Sequence, residues 1–194
     1  MNRAADVAVA GLGLALAGPF LVAAALAIKL DDGGPVLFRQ TRVGKDGKDF
    51  DLVKLRSMTV GAEHVGAGFA VDQGDARITR VGRVLRRLSV DELPQLWNVL
   101  RGDMSVIGPR PTLRYQVDRY TDRQRRRLEV RPGLTGLAQV NGRATLAWED
   151  RIELDVWYVD HRSPLVDLKI VLRTPLALFG GTYRGPSGGW RPDR

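Results

Sequence analysis

ITRVGRVLRRLSVDELPQLWNVLRGDMSVIGPRP, residues Ile78 to Pro111, is the stretch that decides the reading of this chain. Leu93, Leu96, Trp97 and Leu100 recur at i, i+3, i+4 and i+7, which predicts a helix with one buried face that takes in Trp97. Pro94 must stand in the first turn of that helix, where no donor is forfeited. The helix therefore starts near Asp91 or Glu92, and Gly102 and Asp103 end it. Arg80, Arg83, Arg86 and Arg87 precede the adjacent carboxylates Asp91 and Glu92, and Arg101 and Arg110 follow them. Positive charge nearby favours the ionised carboxylate. The same guanidiniums can grip a phosphate through paired hydrogen bonds. An anionic nucleophile beside an anion-binding site points to phosphoryl chemistry.

Plainer readings compete for each of these residues. Ser89-Val90-Asp91-Glu92 fits a capping box with Ser89 as cap, although Pro94 would then lie inside the helix and lose a bond. Asp91 could itself be an N-cap. Two features favour chemistry: a helix start attracts anions, and more arginines surround the pair than a cap requires. Arg83, Arg86 and Arg87 also fit a solvated face. The run Arg123, Arg125, Arg126, Arg127 reads as a solvated face or one that touches acidic lipid. Gly108-Pro109-Arg110-Pro111 differs, because prolines on both sides fix the backbone and hold Arg110 in one direction.

The chain has 194 residues, enough for one domain with a real core. A net charge of +8 implies a polyanionic partner: nucleic acid, acidic headgroups or a phosphorylated substrate. The absence of cysteine excludes a disulfide scaffold and a Cys-based metal site. His64 and His161 are too few and too far apart in sequence for a zinc site.

An uncharged apolar run extends from Val7 to Ile28. As a helix it is about 33 Å long, near the thickness of a hydrocarbon core. Gly18-Pro19 stands in its middle, where a kink is expected. A signal peptide, a spanning helix and a re-entrant helix all fit. Arg3 and Lys29 flank the run almost symmetrically, which favours both ends facing the same side. The expected organisation is a membrane-embedded helix over 1–30, a catalytic domain over 31–183 and a flexible tail over 184–194.

Within the domain, 31–58 reads as a β-hairpin turning at Asp46-Gly47. The glycine-rich 61–76 reads as a loop, with a lid as the functional alternative. A turn-rich block follows at 131–143, and helical periodicity resumes over 147–180 through Trp157, Leu165, Ile170, Leu172 and Leu176. The predicted fold class is α+β: mostly helical, with one small antiparallel sheet and amphipathic helices lying along the membrane.

Three segments carry a family resemblance: GPVLFRQTRVGKDGKDFDLVKLRSM (34–58), the stretch from Ile78 to Pro111, and RPGLTGLAQVNGR (131–143). Together they resemble the bacterial sugar transferases of the monotopic polyprenyl-phosphate phosphoglycosyl transferase superfamily. Asp155, Tyr158, Asp167 and Leu168 match a looser C-terminal pattern. The resemblance implies transfer of a phospho-sugar from a UDP-sugar to polyprenyl (undecaprenyl) phosphate, the first membrane step of glycoconjugate or exopolysaccharide synthesis. Asp91 matches the nucleophile, which forms a covalent phospho-sugar aspartate. Glu92 matches its magnesium-associated partner. Arg86, Arg110 and Lys54 match basic positions near the phosphates. The implied anchor is a re-entrant helix broken at Gly18-Pro19, with Gly18 where the family usually has serine. The implied location is the cytoplasmic membrane of a bacterium, with the catalytic domain on the cytoplasmic face.

A diphosphate repels a carboxylate, so Mg²⁺ and arginines must neutralise it before Asp91 can approach. Mg²⁺ suits one or two carboxylates plus phosphate oxygens. The expected partners are a UDP-sugar, polyprenyl phosphate and membrane lipid, with no nucleic acid. A homo-oligomer stays open, as do the sugar and the glycan made. The rival from another class is a membrane-tethered basic module that binds nucleic acid or acidic lipid. It calls for exposed aromatics among the basic side chains, and the helical spacing of Trp97 argues against it. A magnesium-dependent phosphohydrolase shares the nucleophile but needs no lipid acceptor.

Overall fold

A computed structural model describes residues 2–65, 74–142 and 146–179. The expected tail, and positions 66–73 of the lid reading, lie outside the described residues.

Helix α1 runs from Arg3 to Asp32. The Asn2 side chain caps its start by accepting from the Ala5 amide at 2.9 Å, and Gly33 ends it in the left-handed conformation at φ 71°. Pro19 lies inside this helix rather than at its end. A stripe of mostly small residues, Asp6, Ala10, Ala17, Ala24 and Ile28, is buried along its length. Ala10 and Leu14 pack with Leu52, Leu96, Val99 and Met104. Leu21, Ala24 and Ile28 pack with Leu55 and Leu85. The opposite face (Leu12, Leu16, Phe20, Val22, Leu26, Leu30) is apolar and exposed.

Polar ties fasten both ends of α1 to the same domain. At the start, Arg3 donates to the Val99 and Leu100 carbonyls at 2.5 and 2.6 Å, and the buried Asp6 accepts from Ser105 Oγ and the Val106 amide, both at 2.9 Å. At the finish, Asp32 pairs with Arg56, and Asp31 accepts from the Val81 amide at 3.2 Å.

Strands β1 (Leu37–Val43) and β2 (Asp49–Leu55) form the expected antiparallel hairpin, with Leu37 opposite Leu55 and Val43 opposite Asp49. Asp46 and Gly47 turn it at φ 55° and 74°. Helix α2 (Arg80–Arg87) begins at a Thr79 cap and packs against the exit of β2 so closely that there is no room for a side chain at Gly82. A Cβ there would stand 1.9 Å from the Ser57 carbonyl oxygen. Gly82→Ala is expected to destabilise the fold by about 1–3 kcal/mol, read from thermal unfolding in detergent, and to lower activity by shifting Arg86.

Helix α3 (Gln95–Arg101) follows, and Gly102 closes it at φ 93°. Strand β3 (Ser105–Ile107) then pairs in parallel with β4 (Gly133–Thr135). This second, parallel pair was not expected. Its segments are three residues each, too short to show a two-residue alternation. Short helices α4 (Arg114–Val117) and α5 (Asp122–Arg125) connect the two strands, and α6 (Leu137–Val140) follows β4. Helices α7 (Trp148–Asp160) and α8 (Pro164–Phe179) complete the domain. Tyr158, Ile170 and Ile107 form one core cluster, and Tyr158 donates to Asp167 at 2.7 Å. Leu165, Leu172 and Leu176 of α8 are exposed.

Candidate active site

Asp91 lies on a single 3₁₀ turn, Val90–Glu92, between α2 and α3. Ser89 enters that turn in the left-handed conformation, φ 56° and ψ 21°, and makes no side-chain cap. The capping-box reading therefore fails. Asp91 is not a cap either: the N-cap of α3 is Pro94, and the Asp91 carboxylate accepts no hydrogen bond among the described residues. The buried face of α3 is formed by Gln95, Leu96, Asn98 and Val99. Trp97, expected in the core, is instead 53% exposed. The reason is Asn98, fully buried, whose side chain accepts from the Val53 amide at 3.0 Å and donates to the Asp51 carbonyl at 2.7 Å. Those two bonds turn α3 so that Asn98 faces β2, and Trp97, one residue earlier, is turned out. They also bring Lys54 of β2 to the acid pair.

Glu92 is where the charges meet. Arg110 reaches it with both terminal nitrogens, at 2.5 and 3.5 Å. Lys54 Nζ stands 3.8 Å from Glu92 Oε1. The charges of Lys54, Arg86 and Arg110 all act on the neighbouring Asp91. The five residues singled out from the sequence (Lys54, Arg86, Asp91, Glu92, Arg110) thus converge from four separate segments. Gly18 and Pro19, named for the membrane break, lie apart from them in α1.

The electrostatics differ from expectation in one respect. Asp91 was expected to be kept ionised by its arginines. Burial, with Glu92 beside it, instead pushes its carboxyl above the usual range, and Lys54, Arg86 and Arg110 pull it back only in part. Asp91 is 8% exposed, and desolvation of the charge outweighs the attraction. A more basic carboxylate is a better nucleophile once ionised. Lys54 is pulled down to about 8, by burial first, with Arg110 and Arg42 adding to it against Glu92 and Asp91.

Arg110 is held from behind. Its loop crosses β4 at three glycines: a Cβ on Gly133 would meet the Gly108 amide nitrogen at 2.0 Å, and one on Gly136 would meet the Gly108 carbonyl at 2.2 Å. Gly108 N donates to Thr135 O at 2.9 Å, and Gly133 N to Pro109 O at 2.8 Å. Arg127 donates to the Arg110 carbonyl at 3.0 Å, to Tyr120 Oη at 2.7 Å, and pairs with Asp155. Tyr120 Oη in turn bonds Thr112 Oγ1 at 3.0 Å. Arg127 and Asp155 are both buried. Arg127 is therefore no solvated or lipid-facing arginine, as its run implied. Its neighbours fit that reading: Arg123 pairs with Glu153, and Arg126 with Glu129 and Asp160, all on the surface.

Sequence reasoning passed over Arg42 and Arg151, whose charges bear on Arg110. The signal for Arg42 was present, since the hairpin register puts Gln40 and Arg42 on the same face as Lys54. Arg151 carried no such signal, being one charged residue on a helix turn that starts Trp148-Glu149-Asp150.

Two carboxylates converge here, and among the described residues no group of three His, Asp or Glu side chains could hold a metal. That donor set does not make a protein-only cage. It fits a Mg²⁺ ion that draws its other ligands from phosphate oxygens and water.

Residues 1–181 match the family model described as bacterial sugar transferase. The chain is 50% identical over 147 residues to the "Uncharacterized sugar transferase EpsL" of Bacillus subtilis (strain 168), an alignment covering 76% of this chain and 71% of that one. It is 49% identical over 186 residues to a "UDP-glucose:undecaprenyl-phosphate glucose-1-phosphate transferase" of Caulobacter vibrioides, covering 92% and 69%. It is 45% identical over 188 residues to a "UDP-N-acetylgalactosamine-undecaprenyl-phosphate N-acetylgalactosaminephosphotransferase" of Aeromonas hydrophila, covering 93% of this chain and 44% of that longer one. With nearly its whole length matched, and the matched segments meeting at one acidic pair, the chain belongs to the bacterial sugar transferase family of enzymes.

Proposed function

We propose that this enzyme moves a sugar 1-phosphate from a UDP-sugar to polyprenyl phosphate through a phospho-sugar ester on Asp91. An Asp91 oxygen attacks the sugar-bearing phosphorus, an O–P bond forms, and the P–O bond to UMP breaks with UMP leaving. A phosphate oxygen of the polyprenyl phosphate then attacks the same phosphorus. The Asp91–P bond breaks, the lipid diphosphate sugar departs and the carboxylate returns. Splitting one displacement into two is the usual gain of a covalent nucleophile. Lys54, Arg86 and Arg110 neutralise phosphate charge and orient the diphosphate. Glu92, with Asp91 beside it, would hold Mg²⁺, which when bound supplies further neutralisation and polarises a phosphoryl oxygen.

The observation that carries this reading is the meeting of Asp91, Glu92, Lys54 and Arg110 in one place. The test is incubation with undecaprenyl phosphate and a panel of UDP-sugars, following UMP. Release that depends on the lipid for continued turnover supports transfer. Free phospho-sugar made without lipid supports a hydrolase instead. The exposure of Trp97 removes one ground against the nucleic-acid rival. Filter binding at two salt concentrations tests that rival directly, since it predicts tight, salt-sensitive polynucleotide retention.

The Lys54 charge gives a pH dependence. In the free enzyme its ammonium is lost as pH rises through about 8, where an unperturbed lysine stays charged to about 10.4. We expect kcat/KM for the donor to fall above pH 8. In Lys54→Arg that limb should move beyond pH 10, since a guanidinium stays charged.

The membrane reading rests on α1. A helix whose two ends are both tied to one soluble domain presents its outer face, not its ends, to lipid. The exposed apolar side from Leu12 to Leu30 enters one leaflet, and a bend at Pro19, which lies inside α1 and cannot donate its own backbone hydrogen bond, would let it enter as a re-entrant helix. Both ends then face the cytoplasm of the bacterium. The chain has no cysteine, so single cysteines at positions 2 and 35, both exposed, can be labelled with an impermeant maleimide. Both should react from the cytoplasmic side only. Labelling from opposite sides would establish a spanning helix.

A further inference from the structure

Arg42 is a cation of this cluster that the transfer scheme leaves without a task. It sits on β1, on the face of the hairpin that carries Lys54. Its guanidinium donates to Gln40 Oε1 and to the Pro111 carbonyl at 3.4 Å. Its Nε is sealed from solvent with no partner. No carboxylate among the described residues lies within ion-pair distance of it. Burial and the charge of Arg110 pull it down to about 10, against Glu92 and Tyr115. A guanidinium so placed, with an orphaned donor and no counter-ion, is costly unless an anion arrives.

Its position within the cluster is also informative. Lys54 and Arg110 each pair with Glu92, next to the nucleophile, whereas Arg42 pairs with neither acid and is held by Gln40 and the Pro111 carbonyl. Arg42 is therefore set back from the acid pair, further from Glu92 than Lys54 and Arg110 are. In an in-line displacement the leaving oxygen departs on the side of phosphorus opposite the attacking one. We infer that Arg42 binds the phosphate that leaves with the nucleoside, so that it holds the departing UMP while Lys54, Arg86 and Arg110 hold the phosphate that stays. The inference rests on the proposed transfer reaction and adds to it a division of labour among the cations.

The test is calorimetric binding of UMP and of uridine to the full chain in detergent, with thermal melts as a folding control. Arg42→Gln is expected to weaken UMP about ten- to a hundred-fold, the scale of a lost charge-assisted contact. Uridine binding should not change. Wild-type UMP affinity in a folded Arg42→Gln protein overturns the inference and leaves the transfer reaction standing. Should Arg42→Gln not fold, Arg42→Lys keeps the stem and charge but loses the paired donors. It should bind UMP several-fold more weakly, and unchanged affinity again overturns the inference. A wild-type enzyme that neither binds UMP nor releases it from any UDP-sugar removes the transfer reading, and this inference with it.

Discussion

Asp91→Asn should stop turnover while leaving the protein at least as stable as before. Loss of the nucleophile is expected to cut UMP release by about 10⁴-fold or more. Two features of the site make this substitution clean. The Asp91 carboxylate accepts no hydrogen bond among the described residues, so no protein donor loses its partner to the amide. Burial and Glu92 push the carboxyl up, so the ionised form is held at a cost that the neutral amide avoids. A dead enzyme that melts at or above the wild-type temperature is the expected pair of results. UMP release at the wild-type rate would remove Asp91 from the chemistry, and a collapsed melt would mean that its role is architectural.

Arg127→Met should have the largest effect on stability. Asp155 is buried, and burial already pushes its carboxyl up to about 6 against the pull of Arg127. Methionine fills much of the volume but leaves the acid without its cation. Removing one partner of a buried pair costs about 3–5 kcal/mol. The pH dependence has a definite sign. Without Arg127 the Asp155 carboxyl rises further, and protonation then relieves the unpaired charge. The deficit against wild type should be larger at pH 8 than at pH 5, measured by denaturant unfolding in detergent. Activity should fall as well, because Arg127 also holds the Arg110 carbonyl and, through Tyr120, Thr112. Arg123→Ala, which breaks an exposed pair with Glu153, is the control and should change little. Equal unfolding of Arg127→Met and wild type would mean that the pair contributes nothing.

Much of this site was legible because its parts are local. Asp91 and Glu92 are adjacent, and the prolines beside Arg110 stiffen its loop, but Pro94, expected in the first turn of a helix starting near Asp91 or Glu92, is instead the N-cap of one that starts at Gln95, after a separate 3₁₀ turn. The hairpin was legible from Asp46-Gly47, and its register then dictates which side chains share a face with Lys54. What sequence spacing could not show was long-range. Trp97 fits the apolar period of α3, but Asn98, a polar residue that no hydrophobic pattern selects, is what turns that helix towards β2. Arg127 looked like its neighbours in a basic run, and only Asp155, far along the chain, distinguishes it. The direction in which its surroundings shift Asp91 was misjudged for a related reason: counting arginines registers attraction, whereas desolvation depends on packing that the sequence does not display. The parallel pair of β3 and β4 was hidden by the shortness of its strands and by the distance between them.

The claim on which the rest hangs is that a sugar-bearing phosphate becomes bonded to Asp91. Intact-mass and peptide mass spectrometry of enzyme held with a UDP-sugar alone, without lipid acceptor, measures it directly. The account predicts one added phospho-sugar per chain, mapped to the peptide that contains Asp91, discharged on addition of polyprenyl phosphate and absent in Asp91→Asn. Lipid-linked product formed with no such adduct at any time, or an adduct on another residue, would contradict it.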